Sequence, residues 1–378
     1  MFVPGVQHQR FHVPRNLPSF LLAILTVVLT VVAWAAFSTS PLPNDQPLAP
    51  LASDGITARV HSVAYTVPEA TVDGLFVRKD EPGARPRRIA SFPFSLNFHA
   101  RGRAAPRGDT IAILAIADLS TAAARLSLVD PLSGEVREAA GLFDYVSEIA
   151  WSGDGSHLAA VRSTPPDDAG RVFANLIEVD AAAGTATSVA RFDDVFVAAP
   201  VGYAADGERI FVVVIDSSGS TLWAVSGGRL QKVAVLSPGR SRDWALSPGG
   251  ARLAFVEVLG NGQAGYAGKV VLTATGTVAP AGTAGDQVGV AWDPRTGVPQ
   301  FGGPGGTVQL SSPSSAEAYV VPLAWSPDGT SLAAVICTRP VDTAIGCVQS
   351  IQIATPERRL RLADEAGVGF IGWVLNAE

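Results

Sequence analysis

One short phrase occurs twice in this chain, and it restricts the possible folds more than any other feature. Residues 149–161 read IAWSGDGSHLAAV, and residues 323–335 read LAWSPDGTSLAAV. In each copy an apolar strand ends at a tryptophan, and an Asp-Gly turn follows, because glycine accepts the left-handed backbone that closes such a turn. A second apolar, partly β-branched run comes next. The phrase therefore predicts a β-hairpin.

Weaker copies of the phrase recur along the chain. With the tryptophan position as a marker, the copies fall at residues 104, 151, 203, 246, 292, 325 and 373. Most are followed by a second strand pair, such as RLSLVD and EVREAA. Four strands in each repeat of roughly 40 to 50 residues are typical of a propeller blade. The repeats predict an all-β, seven-bladed β-propeller, with six blades as the alternative because the unit between 292 and 325 is short and rich in Gly and Pro.

The two ends of the repeat region are complementary. The segment ARVHSVAYTV, residues 58–67, is a strand that lacks the one before it, and GFIGW, ending at Trp373, lacks the one after it. We therefore expect the C-terminal strand to complete the first blade. Such closure hides sheet edges that would otherwise pair with other chains. The predicted propeller domain spans residues 58–378.

The W-S-P-D-G hairpins resemble the repeats of TolB-type and WD-like "PD" β-propellers of bacterial envelope proteins. Two copies carry the resemblance, Trp151–Gly155 and Trp325–Gly329. It covers the propeller alone. In such families the propeller binds proteins or peptides, or accompanies a hydrolase domain, so the resemblance implies a binding function. The chain departs from the pattern in its apolar N-terminal segment, and it contains no α/β-hydrolase domain.

The N-terminal region predicts a membrane anchor. Residues 17–37 carry no charge and are long enough to span a bilayer as a helix. Arg10 and Arg15 precede this segment, and the first charge after it is Asp45, which places the N-terminus in the cytoplasm. We expect a cytoplasmic tail (1–16), a signal-anchor transmembrane helix (17–37), a Pro-rich linker (38–57) and an extracytoplasmic propeller. The alternative is a signal peptide cleaved after Ala35 and a secreted protein.

The two cysteines predict a disulfide, and the net charge restricts the class of partner. The only two cysteines are Cys337 and Cys347, and outside the cytoplasm we expect them to form a disulfide across the last blade. The net charge is −6 and no basic stripe is present, which argues against a nucleic-acid partner.

The sequence contains few candidate catalytic or metal-binding residues. No G-x-S-x-G elbow is present, and the histidines after the anchor, His61, His99 and His157, lack metal-ligand spacing. An aspartate in a P-D-G turn is expected to bond its own turn backbone. The innermost strands contribute only Glu148 and Asp243 as candidate acids. We therefore expect no catalysis, no metal and no cofactor; the alternative is a lactonase-like or quinoprotein-like enzyme with its site in the central channel.

Binding is expected on the loops that join second and third strands. These loops, at 162–171, 259–268 and 338–346, vary in length, and long loops on a rigid scaffold tend to bind partners. Because the linker enters at the opposite face, they should point away from the membrane. The alternative is that they are tolerated insertions. For an envelope protein or peptide partner, the candidate contact residues are Arg162, Asp167, Asp168, Arg171, Asn261, Tyr266, Arg339 and Asp342.

Overall fold

The protein is an all-β propeller. The computed structural model describes residues 61–94, 98–164, 172–260, 265–281, 285–308, 310, 317–338, 348–363 and 367–375. The one helical element within these ranges is a 3-10 turn at Pro248–Gly250. No helix in the described ranges is long and apolar enough to cross a membrane. The predicted tail, anchor and linker (1–16, 17–37 and 38–57) lie outside those ranges.

Six antiparallel sheets of four strands form the blades. Blade 1 contains β1 (His61–Pro68), β2 (Val72–Lys79), β3 (Arg87–Pro93) and β26 (Gly369–Leu375). Blade 2 contains β4 (Arg101–Ala104), β5 (Ile111–Asp118), β6 (Ala123–Val129) and β7 (Val136–Asp144). Blade 3 contains β8 (Ala150–Trp151), β9 (His157–Thr164), β10 (Phe173–Asp180) and β11 (Ala186–Asp193).

The second half of the ring repeats this organisation with one exception. Blade 4 contains β12 (Val197–Tyr203), β13 (Ile210–Asp216), β14 (Gly219–Ser226) and β15 (Arg229–Ser237). Blade 5 contains β16 (Ser241–Leu246), β17 (Arg252–Val258), β18 (Tyr266–Leu272) and β19 (Val278–Pro280). A short unit of two strands follows, with β20 (Val288–Trp292) and β21 (Pro299–Gly302). Blade 6 contains β22 (Glu317–Trp325), β23 (Leu332–Thr338), β24 (Val348–Ala354) and β25 (Arg359–Arg361).

The number of complete blades is six, which is the alternative given by the sequence, and seven complete blades are not confirmed. Within the described ranges, the short unit has only two strands, and no third strand pairs with β21. The reason lies in the chain after Gly302, where GGPGG disfavours a strand. The N–H groups of Thr307 and Val308 instead donate to the carbonyl of Phe301, at 2.7 and 3.1 Å, and cover the edge of β21.

The two ends of the propeller meet in blade 1. The C-terminal strand β26 pairs with β1, with Val63 opposite Trp373 and His61 opposite Leu375. Blade 1 therefore has the strand order β26-β1-β2-β3, the arrangement predicted from the complementary end strands. Pairing the ends in one sheet closes the ring through backbone hydrogen bonds.

The tryptophan that marks the repeat joins neighbouring blades. The indole N–H of Trp151 donates to the carbonyl of Arg103 at 3.0 Å. Trp292 donates to Ala245 at 2.9 Å. In each case the acceptor lies on the innermost strand of the preceding blade. A buried indole needs a hydrogen-bond acceptor, so the tryptophan both fills the core between blades and fixes their spacing.

Arginines form a second set of links between blades. Arg87 of blade 1 donates to the carbonyl of Pro131 in blade 2 at 2.6 Å. Arg137 of blade 2 reaches Ala182 in blade 3, also at 2.6 Å. Arg252 of blade 5 reaches the short unit at the carbonyl of Gly297, at 2.7 Å. Each planar guanidinium can serve several acceptors at once, so arginine suits these seams better than lysine does.

Candidate functional site

The propeller has two different faces. Because strands alternate in direction within a blade, the turns between first and second strands and between third and fourth strands lie on one face, which we call the turn face. The connections between second and third strands, and the segments between blades, lie on the opposite face, which we call the loop face. The long second-to-third connections join Thr164 to Phe173, Val258 to Tyr266 and Thr338 to Val348.

Most of the predicted contact residues fall in these long connections. Arg162 and Tyr266 lie at the ends of described strands on the loop face. The remaining six lie outside the described residues: Asp167, Asp168, Arg171, Asn261, Arg339 and Asp342. For all eight residues the predicted contact with a partner stays a prediction.

Arg162 is used for packing between blades. Its side chain leaves blade 3 and donates from Nε to the carbonyl of Leu142 in blade 2 at 2.8 Å. A second donor, Nη2, lies 3.4 Å from the carbonyl of Ala140. The guanidinium carbon also lies 5.4 Å from the centroid of the Phe143 ring. Arg162 therefore joins blades 2 and 3, a role that its sequence context did not reveal.

Tyr266 lies at the seam between blade 5 and the short unit. Its half-buried ring packs against the core cluster that contains Trp292 and Phe301. The guanidinium of Arg242 lies 5.8 Å from the ring centroid. Tyr266 is thus held in place by its own blade and presents only part of its ring to the loop face.

The two carboxylates predicted on the innermost strands are both neutralised by arginines. Glu148 lies 3.8 Å from Arg101 and 3.8 Å from Arg103. Asp243 lies 3.0 Å from Nε of Arg242 and accepts the backbone N–H of Gly289 at 2.8 Å. Each of the two carboxylates is thus held by arginine at or beside an innermost strand.

Sequence reasoning missed one pair of residues on the loop face. Nδ1 of His99 lies 2.9 Å from Oδ1 of Asp73, a fully buried carboxylate that also accepts the N–H of Ala100 at 2.5 Å. Since a carboxylate accepts hydrogen bonds, Nδ1 carries the proton and Nε2 is left as an acceptor. Nε2 has no hydrogen-bond partner among the described residues. Asp73 lies in β2 and His99 in the connection between β3 and β4, so no local motif could have indicated the pair.

A further carboxyl on the loop face belongs to the seam between blades 2 and 3. Burial raises the pKa of Asp144, while hydrogen bonds from the Ser163 hydroxyl and the Val146 N–H act in the opposite direction. The Ser163 hydroxyl lies 2.7 Å from Oδ2 of Asp144. This contact, like that of Arg162, joins blade 3 to blade 2.

The aspartates of the two Asp-Gly turns in the repeated phrase bond their own turns, as expected. Oδ1 of Asp154 accepts the Ser152 hydroxyl at 2.7 Å and the Ser156 N–H at 3.0 Å. These hydrogen bonds, led by that of Ser152, lower the pKa of Asp154 to about 2. Asp328 repeats the arrangement with Ser326 and Thr330. Across the described ranges, no three His, Cys, Asp or Glu side chains are grouped as a metal site would require.

One of the two cysteines lies in a described strand. Cys337 is fully buried in β23 and is disulfide-bonded. Cys347 lies outside the described residues, so the predicted Cys337–Cys347 pairing stays a prediction.

Taken together, the fold and the two faces define a β-propeller. No known family profile and no curated protein matches the chain. Among solved structures, a prolyl endopeptidase matches with a TM-score of 0.52 at 11% identity, over 85% of this chain and 51% of that one. An acylaminoacyl peptidase from Pyrococcus horikoshii matches with a TM-score of 0.50 at 11% identity, over 81% of this chain and 53% of that one. The chain thus spans about half the length of these peptidases.

The propeller fold implied by the resemblance to TolB-type propellers is confirmed by the six four-stranded blades. TolB from Acinetobacter baumannii is among the matching structures, with 13% identity and a TM-score of 0.49, over 83% of this chain and 66% of that one. At these identities the similarity extends to the fold alone. Function must therefore be argued from the residues of this chain.

Proposed function

We propose that this protein is a membrane-anchored extracytoplasmic β-propeller that binds a protein or peptide in the cell envelope and performs no catalysis. The observation that carries the proposal is the difference between the two faces. The first-to-second turns of blades 2 to 6 are short and hydrogen-bonded in the same way, whereas the second-to-third connections range from the tight turn Asp216–Gly219 to the long segment between Thr338 and Val348. A rigid ring with one variable face is suited to recognition.

The wall of the channel supports a binding role. Glu148 and Asp243 are engaged by arginines, and arginine and tryptophan hydrogen bonds join blade 2 to blade 3 and blade 5 to the short unit. A pre-organised surface of this kind loses little conformational entropy on binding.

The proposed location rests on the sequence. Residues 17–37 carry no charge, the flanking arginines precede them, and the Pro-rich linker 38–57 separates them from the propeller. We further propose that the short unit takes the place of a seventh blade. Its β20 contacts β16 and β22, and the indole of Trp292 bonds the preceding inner strand as Trp151 does.

Capture of the partner tests the proposal. The full-length chain would be crosslinked in native membranes, and the captured protein compared between wild type and two charge variants. Asp167→Asn with Asp168→Asn neutralises a long loop, and Glu208→Gln is the control on an exposed turn of the opposite face. We expect the loop variant to lose capture and the control to retain it, with both circular dichroism spectra unchanged. The opposite pattern, or no specific capture by wild type, would reject the function.

The second candidate function, an enzyme, is favoured by one observation, the Asp73–His99 pair with its available Nε2. An imidazole oriented by a buried carboxylate is the arrangement of a general base. The test is turnover of ester, lactone and peptide substrates by the full-length chain. Turnover lost in His99→Gln and retained in His157→Gln would support the enzyme, and absence of turnover in the wild type would reject it.

A further inference from the structure

The loop face carries a repeated contact between an arginine and an aromatic ring. Four such pairs lie on it: Arg101 with Tyr145 at 5.5 Å, Arg162 with Phe143 at 5.4 Å, Arg191 with Phe173 at 3.8 Å and Arg242 with Tyr266 at 5.8 Å from guanidinium carbon to ring centroid. Each places a cation against the negative face of a ring.

Phe196 is the exception on this face. Its side chain is 70% exposed, and it is the only aromatic among the large apolar side chains exposed in the described ranges. Its ring has no aromatic or guanidinium contact there. The backbone around it is well fixed, because its N–H donates to the carbonyl of Ile215 at 2.8 Å. An exposed aromatic on a rigid support is a frequent anchor in binding surfaces.

The carboxylates around Phe196 give the surface its charge. Val197 pairs with Ile215, so continuing this antiparallel register places Phe196 opposite Asp216. Asp194, two residues before Phe196, is exposed in a left-handed conformation (φ 53°) and has no ion-pair partner in the described ranges. The second-to-third connection of this blade is only the tight turn Asp216–Gly219, so it is much shorter than the long connections of blades 3, 5 and 6.

The preceding blade carries a comparable combination of ring and carboxylate on β10 and β11, and there the group bound between them is an arginine of the chain itself. Arg191 lies between the carboxylate of Asp193, at 2.8 Å, and the ring of Phe173, at 3.8 Å. Phe196 with Asp194 and Asp216 repeats the combination of ring and carboxylate without a guanidinium on the ring. Oδ1 of Asp216 accepts the N–H and the hydroxyl of Ser218, at 2.7 and 2.6 Å, and the pKa of Asp216 is lowered chiefly by these hydrogen bonds, with Lys232 acting in the same direction. We propose that this site, the Phe196 site, binds an arginine side chain of the partner protein. The inference rests on the proposed binding function and names the chemistry by which the partner is recognised.

A peptide probe tests the chemistry directly. The full-length chain in detergent would be titrated with a fluorescein-labelled peptide that carries two arginines separated by leucine, and with its citrulline and lysine counterparts, by anisotropy. We expect the arginine peptide to bind more tightly than either counterpart. Phe196→Leu keeps an apolar side chain but removes the ring, and should weaken arginine-peptide binding about two- to fivefold. Asp194→Asn should also weaken it.

The control is Val235→Ala, an exposed apolar residue on the outer strand of the same blade, which should change no affinity. Equal affinities for the arginine and citrulline peptides, equal affinities for the arginine and lysine peptides, no loss in Phe196→Leu, or no measurable binding by wild type would each overturn the assignment.

Partner capture separates failure of this site from failure of the proposed function. If wild type and Phe196→Leu capture the same partner equally, while the Asp167→Asn and Asp168→Asn variant does not, the binding function stands and the Phe196 site is overturned. If the peptide results hold but no partner is captured, the site stands and the envelope function fails.

Discussion

Replacing Gly276 by alanine tests how closely the blades pack. Gly276 ends the turn between the third and fourth strands of blade 5 with φ 71°, and a Cβ there would lie 2.3 Å from the carbonyl oxygen of Val233 in blade 4. Alanine in the left-handed region costs about 1–2 kcal/mol. Relieving an overlap of this size against backbone adds about 1–3 kcal/mol, as in other overpacked sites. We expect Gly276→Ala to lower the free energy of unfolding by the sum of these two costs, about 2–5 kcal/mol.

Two other glycines isolate the contact from the backbone strain. Gly207 has φ 72° and a Cβ there would meet nothing within 4 Å, whereas Gly228 has φ 75° and its Cβ would make only an ordinary contact at 3.6 Å. Both alanine variants should therefore lose only about 1–2 kcal/mol. Urea unfolding at constant m-value provides the measurement. Equal losses at Gly276 and Gly207 would show that the blades do not meet as closely as described and would refute the reasoning.

Three more outcomes are expected. Asp80→Ala removes the acceptor for Ser331 and Arg358, both at 2.6 Å, and should cost about 2–4 kcal/mol in urea unfolding, whereas a loss below about 1 kcal/mol would contradict the described link between blades 6 and 1. Because the folded-state pKa of Asp154, about 2, lies below the ordinary value of 3.8, its stabilisation is present above about pH 4 and lost as pH falls through 2. The melting temperature of Asp154→Asn should therefore fall less than that of wild type between about pH 5 and pH 2, and parallel curves would argue against it. The predicted disulfide of Cys337 should contribute about 2–3 kcal/mol, and two free thiols titrated without reductant would exclude it.

The candidate sites show where sequence reasoning succeeds and where it stops. Asp243 lies on the inner strand β16 as predicted, and Glu148 lies two residues before the inner strand β8 rather than on it; both could be placed this closely because their distance from the tryptophan marker is local information. The arginine partners of Glu148 could not be predicted, because Arg101 and Arg103 lie in the preceding blade. Arg242 is next to Asp243 in the sequence, but the hydrogen bond from the N–H of Gly289 in the following unit depends on the tertiary structure. The same reason explains why Asp73 and His99 were not recognised as a pair.

The sequence by itself determined the hairpin, the repeat and the joining of the two chain ends, because turn chemistry and strand alternation act over a few residues and the periodic marker then orders them along the chain. It could not decide between six and seven blades. That depended on whether the segment after Gly302 would add strands or fold back on Phe301, a choice made by long-range packing. The tertiary structure alone decided which side chains serve the seams and which remain free to bind. Arg162, predicted to contact a partner, also spans blades 2 and 3, whereas Phe196, unremarkable in the sequence, is 70% exposed where the register of β12 with β13 sets it opposite Asp216.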